Sequence, residues 1–500
     1  MLTHPRSSPH ARPHTLVPTP FVPTAVTSLS QAGAVVMQSP VLQYRDARDA
    51  LVEVIPNPAK GEWNLRNPRG PGDLKFIQSG WNEGGFVVIK FDRVDDRNVE
   101  TFTSTLQNMA QQRGMNLGKR LGGVLNGADK RYGADVVRFL DSNIKMIEQR
   151  EGMRVGLVLC IIGSNVSQNA KELYPAIKRW SHTLAHIPTQ CVQGGKAMGK
   201  LGEKPQYHAG ILLKINLKLG GVNGILPAPK GGLAVLREEP TMVMGYDINH
   251  PQPGSTKPSY AALVAMTDTE CTKAFTAVGA QKSRTEIAGF VTKVRACLRA
   301  FINVNKVPPK RILFYRDGVA HNQFDELLKV EAPQIVEACD LEQIPPPKLT
   351  IVVVQQRTKA RFATERDEQV PAGTVVNKDI VGADGKDWYM VSQHGLKGTA
   401  RPCHYHIIHD DTDADPLHIQ RLTFELCHLY ARATKIVSRP APVYYAHRAA
   451  FLAQYYKDDY KEENMFEVGS TTSTGSHEST ASSIQEIELG PNIASTVYFA

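Results

Sequence analysis

From residue 86 onwards, apolar segments of strand length alternate with segments whose apolar residues recur at helical spacing. The apolar run 86–91 is followed by Val99, Phe102, Leu106 and Met109, which would share one face of a helix. Further strands are predicted at 155–162 and 189–193, and further helices at 171–182 and 207–219. Strands that alternate with helices of this length predict a small, mostly parallel α/β sheet.

A second unit begins after a joint rich in Pro and Gly near residues 227–232. Three consecutive strands are predicted at 241–248, 260–267 and 272–279, and a long helix is predicted from about residue 284. The next strand, 311–316, leads directly into Asp317. Three strands, a helix and a strand form the order of an RNase H-like sheet.

Two segments have the composition of disordered chain. Residues 1–40 are rich in Pro, Ser, Thr and His, and we predict a disordered tail there, although an acid-poor start that contains arginine is also found in transit peptides. The Ser/Thr/Gly tract 469–483 is predicted to be a surface loop inside the second unit. The apolar end Val497-Tyr498-Phe499-Ala500 is predicted to be buried.

The composition favours a polyanionic partner in a reducing compartment. The chain carries 58 Lys and Arg against 49 acidic residues, a formal net charge of +9, and such an excess favours nucleic acid binding. Seven cysteines stand at irregular spacings, which is typical of reduced thiols in a cytoplasmic or nuclear protein. Since no apolar run approaches the roughly 20 residues that cross a bilayer, we expect no membrane partner.

Two aspartates stand where predicted strands end, Asp247 in Gly-Tyr-Asp-Ile-Asn and Asp317 in Tyr-Arg-Asp-Gly-Val. Carboxylates at neighbouring strand ends can hold a pair of Mg²⁺ ions, which activate water and stabilise a leaving oxygen in phosphodiester hydrolysis. An aspartate after a strand also commonly begins a turn or caps a helix. Spacing alone leaves both interpretations open.

Longer strings resemble one family. Gly-Tyr-Asp-Ile-Asn-His-Pro, Ile-Leu-Phe-Tyr-Arg-Asp-Gly-Val, Gly-Thr-Ala-Arg-Pro-Cys-His-Tyr-His and Pro-Ala-Pro-Val-Tyr-Tyr-Ala-His resemble the PIWI strings of Argonautes, in the family's order. The resemblance runs from about residue 41 to the end and is to a eukaryotic-type, fungal-like MID–PIWI lobe. It implies an α/β fold with a linker at 41–85, a Rossmann-like MID domain at 86–235 and an RNase H-like PIWI domain at 236–500.

The resemblance also implies a catalytic tetrad of Asp247, Glu286, Asp317 and His447. Mg²⁺ or Mn²⁺ would be bound by Asp247, Asp317 and His447. Taken alone, Glu286 is a carboxylate favoured at a helix N-terminus, and His447 beside two tyrosines is equally typical of a core histidine. A neutral imidazole is nevertheless a competent metal ligand.

A second set of residues matches the pocket that holds the 5′-phosphate of a guide RNA in Argonautes. Tyr174 and Lys178 lie four residues apart and share a helix face, and Lys214 and Lys218 repeat this spacing, while Gln190 completes the match. Lysine ammonium groups bind phosphate well, and a tyrosine ring can stack on a base. The alternative is an ordinary solvated basic face.

Five further positions match residues that contact the guide backbone in the family: Arg357, Arg361, His394, Arg401 and Arg432. The chain also departs from the family pattern. Gln356 stands where relatives often carry lysine, and Leu452 stands where many Argonautes carry an arginine on the 5′-phosphate. We predict that Arg448 substitutes for that arginine, with the terminal carboxylate and a bridging cation as the alternative.

The predicted function is therefore RNA silencing directed by a small 5′-phosphorylated guide RNA, with metal-dependent cleavage of a complementary target RNA. A scaffold that binds guide RNA without cutting and silences through partner proteins is the alternative. A DNA-guided nuclease is a third, less favoured by the eukaryotic-type strings.

Overall fold

A computed structural model gives the structure of the chain over residues 34–456 and 485–500. Within these ranges it does not describe residues 81, 83, 131–132, 164–167, 228–231, 256, 282–288, 365, 367 and 396–397, nor the side chains of 168–171 and 485. Glu286 and the predicted loop 469–483 lie outside the described residues. None of the described helices combines the length and the apolar character needed to span a membrane.

The described strands are β1 (Ala34–Val36), β2 (Leu42–Arg45), β3 (Leu51–Val54), β4 (Gly85–Lys90), β5 (Arg120–Asn126), β6 (Val155–Ile162), β7 (Thr189–Gln193), β8 (Thr241–Asn249), β9 (Ser259–Met266), β10 (Ala274–Gln281), β11 (Arg311–Asp317), β12 (Lys348–Gln355), β13 (Thr374–Val376), β14 (Asp387–Val391), β15 (Cys403–Asp410) and β16 (Gln485–Ile487). The described helices are α1 (Asp96–Gln112), α2 (Gly133–Glu151), α3 (Gln168–Arg179), α4 (Gly194–Ala197), α5 (Pro205–Lys218), α6 (Val235–Glu238), α7 (Phe290–Asn305), α8 (Phe324–Leu341), α9 (Pro416–His428), α10 (Ala441–Ala453) and α11 (Pro491–Ala494).

The first unit is a four-stranded sheet in the order β5-β4-β6-β7, and every neighbouring pair in it is parallel. Helices cover both faces, because apolar residues of α1 and α5 join one buried cluster and those of α2 and α3 join another. The strands are accordingly apolar throughout, as in β6, where seven of the eight residues are buried. The predicted parallel α/β sheet is confirmed.

The second unit is built on a ten-stranded mixed sheet in the order β1-β13-β14-β15-β12-β11-β8-β9-β10-β16. Strands β8, β9 and β10 form an antiparallel meander, and β11 lies parallel to both β8 and β12. Helices α7 and α8 pack on one face, whereas α9 and α10 pack on the other. This is the RNase H-like arrangement predicted from the strand order.

Helix α10 lies directly against β8. A Cβ atom on Gly245 would come within 2.4 Å of the Pro442 carbonyl carbon, so this close approach requires glycine. Small residues of α10, including Ala446 and Ala449, are fully buried. As a result, the face of α10 that carries His447 lies over the end of β8.

The prediction of a disordered tail over residues 1–40 is wrong for the last residues of that segment. Ala34–Val36 pairs with β13 at the edge of the large sheet, and the Met37 amide donates to the Gly373 carbonyl at 2.9 Å. The edge strand offers unpaired backbone groups, and Ala34, at 5% exposure, packs into a small apolar cluster beneath it. Residues 1–33 lie outside the described part of the chain.

Residues 41–85, the predicted linker, form the hairpin β2–β3 and contact both units. Gln78 bridges to Val222 in the first unit, and Glu62 bridges to Lys435 in the second. The chain end is buried as predicted, with Tyr498 and Phe499 each 1% exposed.

Candidate active site and nucleic-acid interface

The two aspartates lie side by side at one edge of the large sheet. Arg316 on β11 is the register partner of Tyr246 on β8, so the next residues, Asp317 and Asp247, lie together where the pairing of these parallel strands ends. His447 on α10 lies opposite them. Its Nδ1–H donates to Asp247 Oδ2 at 2.7 Å, because an ionised carboxylate can only accept.

Their shared surroundings shift the pKa values of the two carboxyl groups in opposite directions. Burial and the negative charge of Asp247 raise the pKa of Asp317. Burial also acts to raise the pKa of Asp247, but the hydrogen bond from His447 and the nearby positive charges outweigh it, so this pKa is lowered. Two carboxylates that repel each other while nine-tenths buried form a donor set that a divalent cation would stabilise.

Two residues contact Asp317: Arg439, which the sequence analysis did not single out, and Gln356, which it named only as a departure from the family pattern. The Arg439 guanidinium and the Gln356 amide both donate to Asp317 Oδ2. Arg439 is 5% exposed and also lies over the Tyr444 ring, 4.7 Å from its centroid. A buried positive charge thus sits at the place where the sequence predicted a metal ion. A basic residue just before a helix gives no sequence pattern that would reveal this role.

The predicted tetrad is therefore seen in part. Asp247, Asp317 and His447 come together, while Glu286 lies outside the described residues. Among the described residues, the triplet whose ligand atoms all lie within 4.8 Å of one another is a different one: Asp387, His404 and His406. The three predicted metal ligands form a looser group than that triplet.

The predicted phosphate pocket is a cluster of buried cations in the first unit. Lys178 Nζ donates to the Thr189 carbonyl and hydroxyl oxygens, at 2.9 Å each. Lys218 Nζ donates to the same carbonyl at 3.1 Å and to Gln190 Oε1 at 2.8 Å. Lys178 also lies 5.6 Å from the centroid of the Tyr174 ring. The structure thus brings Tyr174, Lys178, Gln190 and Lys218 together around Thr189.

Three more cations approach this cluster. Burial and the charges of Arg432 and Arg448 lower the pKa of Lys214 to about 8. Burial and the neighbouring Lys178 lower the pKa of Lys218 well below its ordinary value. The Nε atoms of Arg432 and Arg448 are buried and have no hydrogen-bond partner among the described residues. Like charges held together with unused donors are expected where an anion binds.

Leu452, which stands where many Argonautes carry an arginine, and Arg448, its predicted substitute, lie in different surroundings. Leu452 is 2% exposed and belongs to the apolar core, whereas Arg448 is close enough to Lys214 and Arg432 to lower the pKa of Lys214. Arg448 is therefore the α10 residue that faces the cation cluster.

A cavity of about 740 Å³ opens beside this cluster, between the first unit and the segment 63–66. Gln190, Lys214 and Arg432 line it, together with Lys196 and Arg66. Tyr174, Lys178 and Lys218 do not line the cavity. The cavity therefore adjoins the cation cluster and has a basic wall.

The other residues predicted to contact the guide backbone lie elsewhere, on two loops of the large sheet. Arg357 and Arg361 follow β12, whereas His394 and Arg401 lie between β14 and β15. The loops touch, since the Thr358 hydroxyl donates to the Pro402 carbonyl at 3.0 Å. Arg357 and Arg401 are exposed, while Arg361 donates to the Thr358 and Ala360 carbonyls. Arg432 belongs with the cation cluster instead.

Comparison with known proteins agrees with this architecture. A Piwi-domain family model matches residues 157–457. The C-terminal lobe of a budding yeast Argonaute is similar in fold, with a TM-score of 0.75, 21% sequence identity, and coverage of 93% of this chain and 95% of that one. Kluyveromyces polysporus Argonaute with a guide RNA has a TM-score of 0.75 and 21% identity, and the match covers 93% of this chain and 53% of that one. Drosophila Piwi has a TM-score of 0.70 and 21% identity, and the match covers 93% of this chain and 56% of that one.

A Rossmann-like unit joined to an RNase H-like sheet with two aspartates at its edge defines the class of MID–PIWI lobes. The chain belongs to the Piwi-domain family, and its architecture is that of the Argonaute C-terminal lobe. It spans about half the length of the two longer relatives.

Proposed function

We propose that this protein binds the 5′-phosphate of a small guide RNA and cleaves complementary target RNA in a reaction that depends on Mg²⁺ or Mn²⁺. One observation carries the proposal. Helix α10 presents His447 to Asp247 and the next residue, Arg448, to the cation cluster. A single rigid helix thus joins a candidate hydrolytic site to a candidate phosphate pocket.

The phosphate pocket would fix the end of the guide. Lys178 and Lys218 both donate to the Thr189 carbonyl, and Lys218 also donates to Gln190. Arg448 adds a half-buried guanidinium whose buried Nε is an unused donor. A phosphate would take up these donors and relieve the repulsion among the cations. The Tyr174 ring, which lies beside Lys178, would stack on the first base.

The choice of target would be left to base pairing. Arg357, Arg361, His394 and Arg401 lie on touching loops and carry groups that can bind phosphate oxygens. Backbone contacts of this kind fix register without reading sequence. The net charge of +9 fits a partner with many phosphates.

For cleavage, the chain supplies two carboxylates and an imidazole. Bound divalent cations would supply an activated water and stabilise the leaving oxygen. Asp247 and Asp317 would hold them, with Glu286 proposed as a further carboxylate. His447 orients Asp247 through its Nδ1–H. Arg439 and Gln356 would release one oxygen of Asp317 for this purpose.

The same Arg439 contact is what favours the alternative, a guide-binding scaffold that does not cut and acts through partner proteins. If the guanidinium stays on Asp317, it opposes cation binding, because it occupies a carboxylate oxygen and adds a positive charge. The two functions share the phosphate pocket and differ at the acidic site.

We expect the chain to bind a short 5′-phosphorylated RNA with an affinity that falls about a hundredfold between 50 and 200 mM salt. About five phosphate contacts to a single strand release counterions to that extent. Fluorescence anisotropy with labelled RNA and DNA of one sequence, each with a 5′-phosphate or a 5′-hydroxyl, measures this directly. Equal affinity at both salt concentrations would contradict the binding mode, and tighter binding of the DNA would favour a DNA-guided protein.

A further inference from the structure

A second group of candidate metal ligands lies on the hairpin β14–β15. Asp387 is the register partner of His406, and Tyr389 is the partner of His404. Because side chains two residues apart share a face of a strand, all four point to the same side of the sheet. The ligand atoms of Asp387, His404 and His406 all lie within 4.8 Å of one another.

Contacts with neighbouring residues already orient two of these ligands. Asp387 Oδ1 accepts from the Gly382 amide at 2.7 Å, which leaves Oδ2 directed at His404 Nε2, also at 2.7 Å. The His404 ring stacks on the Tyr389 ring with centroids 3.9 Å apart. Support of this kind from surrounding residues is typical of metal ligands, because it fixes ring orientation before the ion binds.

His406 is the unusual member of the group. It is 8% exposed, and its Nε2 atom is buried without a hydrogen-bond partner among the described residues. A buried imidazole nitrogen without a partner is costly, and a bound ion would remove that cost.

The group is separate from the acidic site. His406 packs against Phe324 of α8, with ring centroids 5.1 Å apart, on the α7–α8 side of the sheet. Tyr315 faces the opposite side of the sheet, on which α10 packs. Asp317 comes two residues later on the same strand and therefore faces that side too. Ions at the two places would not share ligands.

We propose that Asp387, His404 and His406 form a zinc-binding site on the α8 face of the sheet, with a water molecule as the fourth ligand. Two imidazoles and one carboxylate are the donors that Zn²⁺ accepts in tetrahedral sites, whereas Mg²⁺ requires six oxygen ligands. In the metal-free state the hydrogen bond between His404 Nε2 and Asp387 Oδ2 holds the pair together. Zn²⁺ would take the place of the Nε2 proton, which moves to Nδ1 so that the imidazole stays neutral. The site stands independently of the proposed silencing function.

Such an ion would tie β14 to β15 near the base of their hairpin. The loop of that hairpin, between Val391 and Cys403, carries His394 and Arg401. Zinc is therefore expected to raise the unfolding temperature of the chain, because it binds the folded hairpin and not the unfolded strands.

The test is a calorimetric titration of Zn²⁺ into the metal-free full chain, in an Asp247→Ala/Asp317→Ala background that removes the acidic site. One Zn²⁺ per chain is expected. His406→Leu and Asp387→Asn should each weaken binding by about a hundredfold or more, since each removes one of three protein ligands. Co²⁺ in place of Zn²⁺ should give the visible spectrum of a four-coordinate site without a thiolate band.

The matched control is His409→Gln on the same strand, whose imidazole pairs with Asp411 at 3.0 Å outside the group; it should bind zinc as the parent does. His406→Leu replaces an unpartnered polar group with an apolar one and should fold, which circular dichroism checks, and Asp387→Asn keeps the side-chain shape. Unchanged zinc affinity in both variants, no zinc bound by the parent, or a thiolate band with Co²⁺ would each overturn the proposal.

Discussion

Replacing Asp247 or Asp317 with alanine is expected to reduce guided cleavage of a matched target by about a thousandfold or more. Each carboxylate would hold the divalent cations that activate water, and metal ions contribute several kcal/mol to this kind of reaction. Guide binding should be unchanged, because neither aspartate belongs to the cation cluster. Single-turnover cleavage in Mg²⁺, in Mn²⁺ and in EDTA measures the effect.

Asp268→Ala is the matched control for these variants. Asp268 is also a partly buried aspartate of the large sheet, but it lies in the β9–β10 turn, at the opposite end from Asp247, where it accepts from Thr272. This variant should retain cleavage. If Asp247→Ala and Asp317→Ala cut at the rate of the parent, or if cutting persists in EDTA, the acidic site is not catalytic and the scaffold function is favoured.

The second large effect is expected at the phosphate pocket. Lys178→Met combined with Lys218→Met should weaken binding of a 5′-phosphorylated RNA by about a hundred- to ten-thousandfold, since each charge-assisted bond contributes about 1.5–3 kcal/mol. The affinity for the same RNA with a 5′-hydroxyl should change far less. Arg448→Ala should reduce the preference for phosphate by about ten- to a hundredfold.

Lys145→Met, on the exposed face of α2, removes one charge of the same kind and should leave the phosphate preference intact. Leu452→Arg is not expected to strengthen the preference, because Leu452 is buried in the core and a buried unpaired charge destabilises the fold. A double lysine variant that still distinguishes phosphate from hydroxyl would show that the cation cluster does not bind the guide.

Sequence patterns predicted the elements whose apolar periodicity is strong. Strands β6, β8 and β11 and their order were predicted, because each contains a run of mostly apolar residues. Strand β5 was missed, since Gly122 and Gly123 dilute its pattern. Strand β1 was missed because its ordering depends on pairing with β13, a contact between residues more than 300 positions apart.

The site residues also differ in whether local sequence patterns could predict them. Spacing placed Asp247 and Asp317 at strand ends and paired Tyr174 with Lys178, but only family strings connected them to His447 and Gln190. Arg439 on Asp317 depends on how α10 packs against β8, which no local pattern encodes. The triplet of Asp387, His404 and His406 depends on the register of β14 against β15.

The most direct test of the account is the position of the cut. Because α10 fixes the acidic site relative to the phosphate pocket, the scissile bond should lie at a constant distance from the guide's 5′ end. Two 5′-phosphorylated guides, displaced by one nucleotide along a single target, are loaded in Mg²⁺, and the product ends are mapped. The account predicts that the cut moves by one nucleotide with the guide and leaves a 3′-hydroxyl and a 5′-phosphate. A cut that stays at the same target position, or that appears equally without a guide, would contradict it.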